Sequence, residues 1–476
     1  MGCEQQVLIP NGEKSGVLQI LRMRLANRRV PPGMGEPMNG VAEERWSGSS
    51  FVKRMTATGQ PSTVIAAALL TVLMISFRPF QPSGPELTGS GGDIVNQLGF
   101  GVLGAIAVTS LLTLVDRRVL VALLSPWWLL LFGFLAIATL NTPVPTDTMR
   151  TVAFSIIGIL TVAAVLTLPR DADAFSRVIV FAGFVILGLS YFGVIAMRDV
   201  AVHQAYDLES QHAGLWRGVF THKNIAGPMM AGLSFAGFYL WRRGWRWSGA
   251  IMALLAMIFV FHTGSKTTTA TVPLAGMLIV LPGIFGLRSL VPVLVISAVG
   301  ALAVATLGIV FIGPLKDMAA TLAPDFTYTG RTPIWDFAGG MIVQKPFFGY
   351  GFENFWLTEI VFTSDHPFDR AWDIRGTVHG HNGYIDLALG MGLPALGVAI
   401  ITFLLVPLRD YIRTPLSREN VFLADFFMMV VTFSLFNAFL ESFFFRRADP
   451  VWMLFVMAVF GLRLVARFKV PAQAIR

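Results

Sequence analysis

The chain has 476 residues, of which 54% are hydrophobic and only 13% are charged, and its formal net charge is +8. An average soluble domain carries roughly 25% charged residues, so most of this chain cannot face water. Its Lys and Arg residues are scattered over short connections between apolar segments, which indicates membrane topology rather than nucleic-acid binding. The single cysteine, Cys3, excludes an intramolecular disulfide and a multi-cysteine metal site.

Residues 1–58 are polar, basic and rich in Gly and Pro, which predicts a disordered cytoplasmic tail, with Met55 as an alternative start. Beyond this tail the sequence predicts an all-α polytopic bundle of about twelve spans, because its apolar runs are long enough to cross a bilayer. Nine spans are expected within residues 59–312 and three within residues 383–468, followed by a tail at 469–476. The predicted spans are 61–77, 98–115, 119–140, 151–168, 178–197, 225–240, 248–261, 269–285, 290–312, 384–404, 421–440 and 451–465.

Cytoplasmic connections of membrane proteins carry an excess of Lys and Arg. With both termini in the cytoplasm, most of the Arg-rich connections of this chain satisfy that rule. The same orientation leaves three unusual connections outside, at residues 203–224, 262–267 and 313–382. Connections of several tens of residues usually form lids or binding sites. We therefore expect the chemistry on the outer face, in the large loop between spans 9 and 10.

Two shorter outer connections carry cations at helix starts. The segment WRGVFTHKN brings Arg217, Lys223 and Asn224 to the start of a span, and the turn HTGSKT contains Lys266 among hydroxyl side chains. Guanidinium and ammonium groups at the edge of a low-dielectric region suit a phosphate or diphosphate. The alternatives are interfacial anchoring for the first segment and helix capping for the second.

The large loop contains Arg331 and Trp335 in GRTPIW and ends in VHGHNGY, with His379, His381 and Asn382. Histidines just before a membrane helix are well placed for general-base work near neutral pH. A metal site is the competing interpretation, and its ligands would be the two histidines with Asp365 or Asp373. Aromatic residues of the loop, Trp335 among them, could stack against sugar rings or rest on lipid headgroups.

Three motifs together resemble the O-antigen ligase and polymerase superfamily of bacterial envelopes, and in particular its exopolysaccharide-polymerase branch. They are RGVFTHKN, GRTPIWDFAGGMIVQKPFFGYGFENFW and HGHNGYIDLALGMGLPALG, within residues 217–397. The resemblance implies a glycosyltransferase of the bacterial inner membrane that acts in exopolysaccharide or O-antigen biosynthesis. Such an enzyme takes glycan from a polyprenyl diphosphate, usually undecaprenyl diphosphate, on the periplasmic face. It uses no cofactor and no metal.

The resemblance also implies roles for residues. Arg331 and Arg217 would bind the diphosphate, and His381 would activate the acceptor hydroxyl for inversion at the anomeric carbon. The further expected substrate contacts are Lys266, Lys223, Asn224, His379, Asn382 and Trp335. Lys266 stands where the family often has Arg, and the continuation GMGLPALG favours a polymerase over a ligase. The expected partners are the lipid bilayer, the lipid-linked oligosaccharide, a flippase, and chain-length or export proteins, with no nucleic acid.

Three other functions remain open at the level of the sequence. The protein could be an O-antigen ligase that transfers glycan to lipid A core or to protein, a secondary transporter, or a non-catalytic partner in polysaccharide export. A transporter should carry ionisable residues near the middle of the membrane. Asp425 and Glu441 are the candidates for such a role, but both lie near span ends, where an interfacial role is expected instead.

Overall fold

A computed structural model describes residues 59–81, 94–142, 145–207, 209–322, 328, 330–353, 355–356, 358–363 and 374–473. Within these ranges the regular structure is helical, apart from an isolated antiparallel bridge between Val202 and Trp216. The predicted all-α class is therefore confirmed. The predicted tail at 1–58 lies outside the described residues, as do Asp365 and Asp373 of the competing metal site.

The described part of the chain up to residue 262 consists mainly of helices, with a longer connection at residues 202–222. The helices are α1 (Gly59–Ile75), α2 (Ile94–Leu114), α3 (Arg117–Leu123), α4 (Pro126–Leu140), α5 (Pro145–Thr167), α6 (Ala172–Ala196), α7 (Arg198–Ala201), α8 (Lys223–Arg243) and α9 (Arg246–His262). A 3₁₀ turn at Ser210–His212 lies between α7 and α8.

The rest of the chain continues in the same way. Its helices are α10 (Lys266–Ile284), α11 (Val291–Ala303), α12 (Ile309–Phe311), α13 (Gly313–Leu322), α14 (Arg331–Gln344), α15 (Glu359–Phe362), α16 (Gly383–Met391), α17 (Leu393–Ile400), α18 (Val406–Arg413), α19 (Arg418–Asn437) and α20 (Pro450–Val465). Single π turns at Val304–Gly308 and Ile401–Leu405 join α11 to α12 and α17 to α18, and 3₁₀ turns lie at Arg288–Leu290 and Ile374–Gly376. Helices α13 to α15 lie within the predicted outer loop.

Seven helical segments of the described chain are long and apolar enough to cross a membrane, and an eighth is added if α3 and α4, bent by 63°, form one span. The predicted count of twelve spans is not confirmed, although each predicted segment overlaps a helix. Helices α1, α9 and α20 are apolar but short. Helix α8 is 21 residues long, but Gly, Pro, Ser and Arg dilute its apolar side chains.

The centre of the bundle is formed by α8, α19 and α20. Helix α19 buries every residue except Arg418, Val421 and Phe422, so protein rather than lipid surrounds it. Helix α8 packs closely on α9, where a Cβ added to Gly237 would lie 2.6 Å from the Gly249 carbonyl oxygen. Small residues at such crossings allow two backbones to approach each other. This packing leaves the start of α8 and the end of α19 at the same end of the bundle.

A second hydrophobic cluster joins α14 to α16 and to the segment between them. Trp335, Phe337, Tyr350 and Phe355 are buried there, and they pack with Ile385 and other apolar residues. The Trp335 side chain is fully buried. These aromatic rings form the hydrophobic core of the loop region, so they are not open surfaces on which a sugar ring could stack.

The opposite end of the bundle is held by ion pairs. Arg243 at the end of α8 binds Asp173 at 2.8 Å and Glu419 at 2.7 Å. Asp425 is bound by Arg242 at 2.6 Å and by the Tyr411 hydroxyl at 2.9 Å. Asp425, one of the two transporter candidates, is thus part of a structural ion-pair network.

Replacing Arg243 with Ala would leave Asp173 and Glu419 without their shared cation. Only 3% of the Arg243 side chain is exposed, and removing one partner of a buried ion pair costs about 3 kcal/mol. We expect a lower melting temperature for the purified variant in detergent. Arg246→Ala, at the exposed start of α9, is the control and should melt like wild type. Equal melting of both variants would contradict a structural role for Arg243.

Candidate active site

The site is centred on the Glu441 carboxylate, just beyond the end of α19. Its Oε1 accepts hydrogen bonds from Arg331 Nη2 at 2.9 Å and from Asn224 Nδ2 at 3.1 Å. Its Oε2 lies 3.6 Å from His381 Nδ1, and Lys223 also interacts electrostatically with this carboxylate. The structure thus brings four of the predicted site residues to one point.

Glu441 is ionised at neutral pH. Burial alone would raise the pKa of this carboxyl, but the hydrogen bond and charge of His381 and the charge of Arg331 outweigh burial and lower it. Glu441 was expected to have an interfacial role, but in the structure it is the acceptor that Arg331 and Asn224 share. A signal was available, because Glu441 follows a predicted span on the same side as the three motifs.

Three helices begin at this cluster. Helix α8 starts at Lys223, α14 starts at Arg331, and α16 starts after Asn382. The first turn of a helix carries a partial positive charge, which favours a bound anion. The start of α14 has no side-chain cap, whereas His222 caps α8 and Asn382 caps α16. Because two of these helices also begin with a cationic residue, the site is strongly suited to a diphosphate.

His381 lies in a turn whose backbone is strained. Its φ is +49°, a region that residues with a side chain seldom occupy. The preceding Gly380 is held on both sides: its N–H donates to the Asp386 carboxylate at 3.0 Å and its carbonyl accepts from Trp335 Nε1 at 2.9 Å. Trp356 Nε1 donates to the same carboxylate at 2.8 Å. Trp335, predicted to contact substrate, therefore positions the His381 turn.

Asn382 joins the His381 turn to the Glu441 turn. Its backbone N–H donates to Ser442 Oγ at 3.0 Å, and its side-chain amide donates to the Phe439 carbonyl at 3.0 Å. Its side-chain oxygen caps α16 by accepting from the N–H groups of Tyr384 and Ile385. Asn382 is fully buried, so it fixes the distance between His381 and Glu441 rather than reaching into the open site.

Hydrogen bonds assign the tautomers of two neighbouring histidines. Nδ1 of His379 accepts the His381 N–H at 3.2 Å, and Nδ1 of His222 accepts the Asn224 N–H at 3.1 Å. A neutral imidazole that accepts at Nδ1 carries its proton at Nε2. Burial, together with the charges of His381 and nearby arginines, lowers the pKa of His379 well below its usual value. His379 is therefore a neutral hydrogen-bond donor.

These tautomers bear on the metal interpretation. His379, His381 and Glu441 place ligand atoms within 4.8 Å of one another, and so do Glu209, His212 and His222. A metal ligand needs the lone pair of its nitrogen, whereas Nε2 of His379 and of His222 carries a proton. Neither group therefore fits a metal ion without loss of a backbone hydrogen bond.

Arg217 supports the approach to α8. Its side chain is completely buried, Nε donates to the Val200 carbonyl at 2.9 Å, and Nη1 lies 3.8 Å from Asp207 Oδ2. The backbone N–H of Lys223 donates to His203 Nε2 at 3.3 Å within the same segment. Arg217, predicted to bind the diphosphate, thus fastens the chain that leads to Lys223.

Lys266 begins α10, whose first turn packs against α8 near its start: a Cβ added to Gly227 would lie 3.1 Å from Thr268 Oγ1. Lys266 is exposed, and no hydrogen bond or ion pair within the described residues joins it to Glu441 or its partners. Ser265 Oγ caps the helix by accepting the Thr268 N–H at 3.3 Å. The capping alternative therefore accounts for the hydroxyl groups of this turn.

We expect Gly380→Ala to disturb the His381 turn. A Cβ at this position would lie 2.6 Å from Asp386 Oδ1 and 3.2 Å from the Trp356 ring, and such overpacking costs about 1 to 3 kcal/mol. Thermal unfolding of the purified variant measures the loss. Gly376→Ala is the matched control, because nothing lies within 4 Å of its added Cβ. A Gly380→Ala variant as stable as that control would refute the tight packing.

Acid should weaken the fold through His203. Burial, followed by the charges of His222 and Arg217, lowers the pKa of His203 to about 4. The unfolded chain takes up this proton below about pH 6.5, but the folded chain does so only near the lower value, so stability falls across that interval. The loss is about 2 kcal/mol at pH 5. His203→Gln should lose less stability than wild type between pH 7 and 5, whereas His262→Gln, at an exposed imidazole, should lose as much.

Comparison with known proteins gives one family. Residues 251–400 match the family model described as O-Antigen ligase. The search of curated proteins gives no match. The matched region runs from α9 to the end of α17 and contains Lys266, Arg331 and the His381 turn, whereas Lys223, Asn224 and Glu441 lie outside it.

Proposed function

Because the chain belongs to the O-antigen ligase/polymerase superfamily through residues 251–400, we propose that it polymerises oligosaccharide repeat units carried on polyprenyl diphosphate. The donor is undecaprenyl diphosphate-linked glycan, and the site faces the periplasm from the bacterial inner membrane. The family supports membrane glycosyl transfer of this general type. The observation that carries the proposal is the cluster of Arg331, Lys223 and three helix starts beside the His381–Glu441 pair.

The cations serve the leaving group. When the bond between the anomeric carbon and the phosphate oxygen breaks, the diphosphate departs with the electron pair and gains negative charge. Arg331 binds two phosphate oxygens with its planar guanidinium, and Lys223 adds a compact charge. These groups are already in place, so their stabilisation of the leaving group requires little rearrangement.

His381 is the general base. Its Nδ1 faces Glu441, so Nε2 is the nitrogen that accepts the acceptor hydroxyl proton. The hydroxyl oxygen then attacks the anomeric carbon from the side opposite the diphosphate, and the configuration inverts. Glu441 stabilises the imidazolium that forms, and His379 donates its Nε2–H to the substrate. The proposed reaction needs no metal, because protein cations supply the positive charge.

A ligase is the second candidate, because the matched family model is described as O-Antigen ligase. Both reactions use the same donor and the same base, and they differ only in the acceptor. A polymerase extends another lipid-linked glycan, whereas a ligase transfers the glycan to lipid A core or protein. The products therefore distinguish the two functions.

We expect Arg331→Ala to lower the transfer rate about 100-fold, by analogy with the loss of an oxyanion-stabilising donor, and His381→Gln to abolish base catalysis. Purified full-length protein in nanodiscs is given undecaprenyl diphosphate-linked oligosaccharide of the host's own repeat, and products are resolved by gel and mass spectrometry. Wild type should give a ladder of multiples. Lys316→Ala, at an exposed position of α13, should retain the full rate.

Two results would count against the proposal. Transfer only to lipid A core or protein, without a ladder, would establish the ligase. No transfer to any acceptor by wild type would favour a transporter or an export partner. Asp425, the transporter candidate, is bound by Arg242 and Tyr411, which supports the enzyme over transport.

A further inference from the structure

The site contains one anion, the Glu441 carboxylate, in contact with the groups that would bind the diphosphate. Glu441 Oε1 accepts from Arg331 and Asn224, both of which are predicted to contact the donor. The other oxygen of the same carboxylate, Oε2, faces the base His381 at 3.6 Å. One oxygen of the carboxylate thus contacts the groups proposed to bind the diphosphate, and the other oxygen faces the proposed base, His381.

We propose that Glu441 holds the place of the donor diphosphate: the arriving diphosphate displaces the carboxylate from Arg331 and Asn224, and the carboxylate then serves His381 alone. This inference rests on the proposed function. It assigns Glu441 as a positioning residue that acts through His381, and also as a competitor of the substrate.

Electrostatics favours displacement of the Glu441 carboxylate by the diphosphate. A diphosphate brings more negative charge and more acceptor oxygens than a carboxylate, and it can engage the guanidinium bidentately. Arg331 and Asn224 both donate to the same carboxylate oxygen, so a diphosphate that takes these donors replaces the weaker ligand. The Glu441 backbone stays fixed, because its N–H donates to the Asn437 carbonyl at 2.9 Å and the next residue, Ser442, holds Asn382. The side chain therefore turns towards His381.

The charged groups around His381 favour the same outcome. Glu441 comes from the turn after α19, Arg331 from the start of α14, and Lys223 and His222 from the start of α8, while His379 shares the turn of His381. While Arg331 binds Glu441, it withdraws negative charge from His381. Once the diphosphate occupies Arg331, His381 has a carboxylate of its own and is the stronger base. Before the diphosphate binds, His381 is therefore the weaker base and activates a water molecule poorly.

A purely structural role for Glu441 predicts a different effect of substitution. If the carboxylate only held the cluster together, Glu441→Gln would loosen Arg331 and weaken diphosphate binding. If Glu441 competes with the donor, the same change removes the competitor. Binding then becomes tighter while the reaction slows, a combination that structural damage does not produce.

The test measures the Kd of undecaprenyl diphosphate and the transfer rate, both with full-length protein in nanodiscs. For Glu441→Gln we expect about tenfold tighter binding and a transfer rate lowered about 100-fold. Glu359→Gln, an exposed acidic position at the start of α15, should keep both values of wild type. Unchanged or weaker binding by Glu441→Gln would overturn the inference while leaving the proposed function intact. Failure of wild type to bind undecaprenyl diphosphate would overturn both.

A second measurement needs no substitution. An experimental structure of the wild-type protein with undecaprenyl diphosphate should separate Arg331 Nη2 from Glu441 Oε1, now 2.9 Å apart, to more than 4 Å. The same structure should bring Glu441 Oε2 closer to His381 Nδ1. Retention of the Arg331–Glu441 contact beside bound diphosphate would refute the displacement.

Discussion

The Glu441 carboxylate organises one end of this molecule. A charge at the edge of an apolar bundle is costly unless partners satisfy it, and the partners of Glu441 come from distant parts of the chain. Asn224 lies 217 residues away in sequence and Arg331 lies 110 residues away. Because these partners together satisfy the charge of Glu441, the start of α8, the start of α14 and the His381 turn meet at the end of α19.

Rigid packing around that carboxylate gives the site its precision. The buried helix α19 fixes the Glu441 turn, and Asn382 ties the His381 turn to it through Ser442 and the Phe439 carbonyl. The hydrogen bonds of Gly380 with Asp386 and Trp335 then hold the strained backbone of His381. Strain of this kind persists only where the surroundings over-determine the conformation. Buried groups around the His381 turn therefore determine the direction of the His381 imidazole.

The sequence predicted the helices and the four residues that surround Glu441. Long apolar runs identify helices because backbone polar groups in lipid must be satisfied internally, and every predicted span overlaps a helix. The span count was not confirmed, because α1, α9 and α20 are apolar but short and because Gly, Pro, Ser and Arg dilute the apolar side chains of α8. Arg331 and His381 were identified because they lie in motifs, and the structure brings both to Glu441.

Other residues could not be assigned from the sequence because their roles depend on long-range contacts. Glu441 at a span end has the same local pattern as an interfacial anchor. The aromatic residues of the loop form a core, since Trp335 is fully buried. Lys266 and Arg217 are cations in suitable positions along the chain, but Lys266 is exposed, with no bond to the cluster within the described residues, and Arg217 is buried within its own segment. Charge can be read from a sequence, whereas the direction of a side chain cannot.

The two ends of the bundle use carboxylates differently. At one end, Asp425 and Glu419 are bound by arginines at 2.6 and 2.7 Å. At the other end, one oxygen of Glu441 accepts from an arginine and from an amide, and the other oxygen faces an imidazole. Because the two oxygens of Glu441 face different partners, an incoming anion can take the first set of partners while the carboxylate keeps the second. The carboxylates at the other end are held by arginine ion pairs that stabilise the fold, and for this reason we place the proposed chemistry at the Glu441 end.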